Sequence, residues 1–175
     1  RAEVGTAATI LVSADRAGDV SDRLLLSQVF VGTSDGYVLR LASPLAERWE
    51  ESRLLAHGAV TLLAQAPSQP ARLYAWSEGA LFVSTDAGAT WTTLPQTMAT
   101  AQAHALVVAA ADPATLYLAQ TDAGVCVSHD GGLTWQALDN DRHPTRVHSL
   151  TLDRRQGSQL LAATDQGIWR YPTTR

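Results

Sequence analysis

Carboxylates are the side chains of this 175-residue sequence whose type and spacing could do chemistry. Asp86 and Asp130 hold the same place in two copies of one pattern, S-x-D-x-G-x-T-W. The first copy is Ser84, Asp86, Gly88, Thr90 and Trp91; the second is Ser128, Asp130, Gly132, Thr134 and Trp135. A carboxylate can act as a general acid or base, so a catalytic role is one reading. A local role competes with that one. Ser and Asp side chains bond turn amides, and Gly supplies the φ > 0 position that side chains with a Cβ resist. Each such bond contributes roughly 0.5–1.5 kcal/mol net. We expect the local role: a strand, a tight turn held by Ser and Asp, then a return strand begun by Thr and a Trp that offers a large apolar face.

A second set of acids recurs one or two residues before a Gly: Asp35, Glu78, Asp122 and Asp165. Four carboxylates on one face could bind a cation or a basic partner. An acid before Gly is also good turn chemistry, and that is the expectation here. Arg142 and Arg146, with His143 between them, are the candidates for meeting an anionic group or an acidic protein. Arg154 and Arg155 follow in the next loop, which a strand count puts on the opposite face, so the arginines form no single patch. The histidines at 57, 104, 129, 143 and 148 lack metal-ligand spacing, and no metal site or cofactor is expected. Cys126 aligns with Phe82 and Trp169 and reads as a small buried hydrophobe rather than a nucleophile. No nucleophile elbow, phosphate-binding loop or zinc-protease motif occurs.

The elements that must position these side chains repeat. Pro70-Ala71-Arg72-Leu73-Tyr74 returns as Pro113-Ala114-Thr115-Leu116-Tyr117, and the whole unit has a period of 43 to 45 residues. In the third unit, apolar runs and Gly/Pro punctuation predict strands over 104–110, 115–120, 124–128 and 134–138. A worn first unit runs through Val29–Arg40; its box has lost Ser, Asp and Gly, although Trp49 stands where the return strand should begin. A strand is expected over 7–14, then a long polar loop over 15–23. The fourth unit gives strands at 147–152, 160–164 and 167–171. Four strands at this period match one blade of a β-propeller. The expected fold is all-β: one domain over 1–175, with four-stranded antiparallel blades over 7–54, 59–98, 103–140 and 146–175, the last incomplete. Gly and Pro every few residues argue against a helical repeat.

The pattern resembles the Asp-box, or BNR repeat, of sialidases, xyloglucanase-type glycosidases, sortilin-like receptors and photosystem II assembly-factor-like proteins. In those families the box is a structural hairpin on propeller blades, usually far from the active site. The resemblance implies either a non-catalytic scaffold that binds another protein, or part of a sialidase- or xyloglucanase-like glycoside hydrolase. A sialidase likeness would need an Arg-Ile/Leu-Pro segment and further arginines. Leu24 follows Arg23, but Leu25 stands where Pro should be. A xyloglucanase-like site would need a carboxylate pair across a cleft that spans more blades than these. Binding is the favoured reading, and many relatives are exported.

A formal charge of −4 speaks against a general nucleic-acid binder. All 13 basic residues are Arg. No apolar run is long enough to span a membrane as a helix. An open fourth blade would present strand 167–171 as an unpaired edge, and residues 1–6 make a poor candidate to fill it. The expectation is therefore a partial propeller that buries its ends against a second chain or against further blades.

Overall fold

The computed structural model describes residues 5–13, 28–41, 48–53, 58–95, 102–121, 124–138, 146–153 and 159–173. Every regular element among them is a β-strand, and the strands group into four sheets. The first sheet holds β1 (Ala7–Ser13), β2 (Gln28–Thr33), β3 (Tyr37–Leu41) and β4 (Glu50–Arg53) in that order. The second holds β5 (Val60–Ala66), β6 (Gln69–Ser77), β7 (Ala80–Ser84) and β8 (Thr92–Thr93). The third runs through β9 (Ala103–Val108), β10 (Leu116–Gln120), β11 (Gly124–Ser128) and β12 (Gln136–Ala137). The fourth has three strands among the described residues: β13 (Val147–Asp153), β14 (Gln159–Thr164) and β15 (Gly167–Pro172). These are propeller blades, strand following strand, with the last incomplete. The loop expected over 15–23 lies outside the described residues, as do Asp122, Arg142, His143, Arg154 and Arg155.

The return strands begin later than the sequence pattern implies. β8 starts after Trp91, and β12 after Trp135. Thr90 and Thr134 therefore belong to the turns, because Asp86 and Asp130 take their amides out of the ladder. The sequence between β3 and β4 lacks the S-x-D-x-G-x-T-W pattern, and β4 pairs over four residues, Glu50 to Arg53. Trp49, just before that strand, is 45% exposed rather than buried.

A bulge recurs at the start of the first strand in three sheets. Ala8, His104 and His148 are the extra residues, each skipped between paired neighbours. A bulged residue is left without a cross-strand partner and can aim its side chain along the strand toward the turn.

The chain divides into two compact units: Arg1–Gln65, Pro70–Glu78 and Phe82–Thr93 in one, Ala66–Gln69, Gly79–Leu81 and Leu94–Arg175 in the other. In the first unit, Phe30 and Val38 are buried. Gly32 of β2 makes room for side chains of β1 and β5: a Cβ there would lie 2.7 Å from Val60 Cγ1 and from Thr9 Cγ2. Trp91 is 7% exposed, and its Nε1 donates to Ser52 Oγ of β4 at 3.0 Å. Arg40 ties the same surfaces together, donating from Nη1 to Ala87 O at 3.1 Å while its guanidinium pairs with Glu50.

In the second unit, one face of the third sheet meets one face of the fourth. Ala105, Tyr117, Ala119, Val125 and Val127 join Val147, Leu150, Leu160, Ala162 and Tyr171 in a single buried cluster. Alternation with period two sends one set of each strand into this core. Burying a side chain such as Leu160, fully enclosed here, contributes about 1.5–3 kcal/mol. Cys126 is buried on the opposite face of β11, and burial pushes its thiol up, which keeps it protonated and inert.

Candidate functional site

The second and third sheets have two ends with different chemistry. At one end lie the S-x-D-x-G-x-T-W turns. Ser84 Oγ donates to Asp86 Oδ1 at 2.7 Å and accepts from Gly88 N at 2.8 Å. Asp86 accepts the Thr90 amide at 2.9 Å on Oδ1 and the Thr90 hydroxyl at 2.6 Å on Oδ2. Ser128, Asp130, Gly132 and Thr134 repeat these bonds, with the Leu133 amide added at 3.0 Å. Each turn is also tied to the chain near the start of its sheet's second strand, by Ala87 N to Ala71 O and Gly131 N to Ala114 O, both 2.8 Å. Both carboxylates are thus occupied by their own turns.

Those bonds set the electrostatics. The Thr90 hydroxyl and amide, with Ser84, lower Asp86 from 3.8 to about 2. Thr134 leads the same effect on Asp130, also to about 2. Donors that favour the ionised form cause both shifts. The sign follows from linkage: with the folded pKa depressed, the stabilisation is complete above the unfolded value and is lost as pH falls toward the folded one. Denaturant unfolding should therefore show stability dropping as pH falls from 3.8 toward about 2. Asp86→Asn with Asp130→Asn should flatten that limb of the profile.

The turns between second and third strands lie at the other end, where Asp35, Glu78 and Asp165 of the second set of acids fall. Each is tied to the start of its own sheet: Ser34 N to Thr6 O, Ser77 Oγ to Gly58 O, Thr121 N to Gln102 O and Asp165 N to Arg146 O. Asp35 accepts from the Thr33 hydroxyl, which holds its carboxyl below the usual range. Glu78 has a positive φ of 48°, and its side chain lies over Gly58. Asp165 pairs with His148 Nε2. Arg146 meets Asp165 through its backbone carbonyl at 3.3 Å. Asp35 and Glu78 belong to the first unit, Arg146 and Asp165 to the second.

The sequence reading passed over two residues at this end. His104 Nε2 lies 2.8 Å from Thr121 Oγ1, and His148 holds the matching place beside Asp165. Both are the bulged residues of their first strands, re-aimed at the turn. They stand 44 residues apart, the same interval that separates Asp86 from Asp130. That shared period was the available signal. Among the described residues, no group of three or more His, Cys, Asp or Glu gathers as a metal would require. Nor is any helix among them long and apolar enough to cross a membrane.

Sheets of this order, repeated along the chain, define a β-propeller. More particularly, the chain belongs to the DUF6242 beta propeller domain family, whose model matches residues 23–162. No curated protein sequence matches significantly. Among solved structures it is similar to a GH74 enzyme of Niastella koreensis, at 20% identity and TM-score 0.70, over 96% of this chain and 28% of that one. It is similar to YCF48 bound to D1 peptide at 15% identity and TM-score 0.64, over 98% of this chain and 54% of that one. It is similar to BBS1N in complex with ARL6DN at 16% identity and TM-score 0.65, over 94% and 52%. The chain thus spans about a quarter of the glycoside-hydrolase structure and about half of the other two. At these identities the likeness is one of fold.

Proposed function

We propose that this chain is a non-catalytic propeller module that binds another protein, through the end of the blades carrying the second-to-third-strand turns. One observation carries the reading: the acids best placed by spacing to be catalytic, Asp86 and Asp130, spend their lone pairs on their own turns. Read this way, the two motifs are Asp-boxes used as structural hairpins. In the second unit the opposite end offers Arg146 just before β13, His148 on β13 and Asp165 on the turn before β15, a mixed charged surface suited to a protein partner; the first unit offers Asp35 and Glu78 on turns of its own. Asp122 and Arg142, outside the described residues, are proposed for the same role from their sequence pattern alone. Similarity to YCF48 bound to D1 peptide, and to BBS1N in complex with ARL6DN, supports a binding role. Similarity to a GH74 enzyme keeps a glycosidase fragment as the competing reading.

Hydrolysis assays separate the two. No turnover of sialosides or β-glucans is expected. Turnover abolished by Asp35→Asn, Glu78→Gln or Asp165→Asn would overturn the proposal. In its favour would be a protein captured by the wild-type chain and lost on the triple variant, with thermal stability unchanged.

A further inference from the structure

The first sheet has an apolar outward face. Cross-strand pairing sets Ile10, Val31 and Leu39 in one row and Val12, Val29 and Leu41 in the next. These rows lie opposite the side that buries Phe30 and Val38. Ile10 is 65% exposed and Val12 62%. The first row ends on β4 at Glu51, the partner of Leu39, which is also exposed. Neighbouring apolar side chains on one strand face are a surface that proteins normally cover.

The fourth sheet has an outward face of its own. Leu160, Ala162 and Tyr171 turn into the buried cluster, so their neighbours turn away from it. Ser149, Ala163 and Ile168 form one outward row, and Thr151, Leu161 and Arg170 the next. Ile168 is 76% exposed, and Arg170 is exposed beside it.

We propose that the outward face of the first sheet docks the outward face of the fourth sheet of a second copy of this chain. The repeat itself says what kind of object fits. Within the second unit, the facing rows of the third and fourth sheets already pack blade on blade into one cluster. The rows at Ile10 and Ile168 have the same period-two build and present it to solvent. Charge agrees with this pairing. Glu51 closes the apolar row of one face and Arg170 closes a row of the other, and among the described residues neither is in an ion pair. The contact joins two different faces, so it is heterologous and each copy offers one of each kind. The proposal stands apart from the binding role argued above, because it uses sheet faces rather than turns.

Light scattering on the purified chain, with substitutions on each face, tests it. The wild-type chain should show at least twice the mass of one copy. Ile10→Asp and Ile168→Asp should each reduce it to the mass of one. Mixing the two variants should restore a 1:1 pair, because each retains the face that the other has lost, and that recovery also shows both are folded. Should either variant fail to fold, Glu51→Arg and Arg170→Glu serve instead, each weakening association alone and restoring it when combined. A wild-type chain of single mass at every concentration would overturn the proposal. So would association that survives Ile168→Asp, which would mean two first-sheet faces meeting each other.

Discussion

Trp91→Ala is expected to lower the free energy of unfolding by about 3–5 kcal/mol, the cost of emptying an aromatic site in a packed core. Trp91 is 7% exposed, and its indole N–H is satisfied by Ser52 of the first sheet. Truncation removes the apolar contact and leaves the Ser52 hydroxyl without its donor. Trp135→Ala, the same change in the other turn, should cost about half as much or less. Trp135 is only half-buried, and its N–H turns back to Gly132 O of its own turn at 3.2 Å. Denaturant titration of the two variants checks the order. Equal losses would show that the sheet-to-sheet bond of Trp91 adds nothing.

Gly132→Ala should be nearly as damaging, at about 2–5 kcal/mol. Two costs add: a φ of +96°, where a Cβ costs about 1–2 kcal/mol, and overpacking, which costs about 1–3 kcal/mol. A Cβ at that position would lie 2.8 Å from Leu81 Cδ2, 3.0 Å from Leu94 Cδ1 and 3.3 Å from Leu116 Cδ1. Gly167 separates the two costs. Its φ is +105°, yet nothing lies within 4 Å of a built Cβ. Gly167→Ala should therefore show the backbone penalty alone. Comparable midpoint shifts for the two substitutions would refute the packing part of the argument.

The repeat was legible because it is written in local chemistry. Turn residues at fixed offsets and apolar runs between them locate strands such as Gly124–Ser128 and Gln159–Thr164 to within a residue. What depends on a neighbouring blade was not legible. Nothing in the two identical motifs says that Trp91 meets Ser52 while Trp135 serves its own turn. Trp49 stands where the sequence pattern begins a return strand, yet it lies just before β4 and is 45% exposed. The length of the return strands was hidden for a different reason. Thr90 and Thr134 have strong β propensity, but the carboxylate four residues earlier in the same turn claims their amides first. The bulged histidines were missed because a metal-site search asks for short spacings. His104 and His148 are related by the period of the repeat, and only sheet register shows that both are extra residues aimed at a turn.

The account rests on Asp86 and Asp130 holding turns rather than handling protons. Carboxyl NMR titration of the folded chain measures this directly. Both should titrate at about 2, well under the ordinary 3.8, because Thr90 and Thr134 stabilise the ionised forms. A carboxylic acid kept for proton transfer has its pKa raised toward neutrality instead. A midpoint at or above 3.8 for either residue would contradict the account.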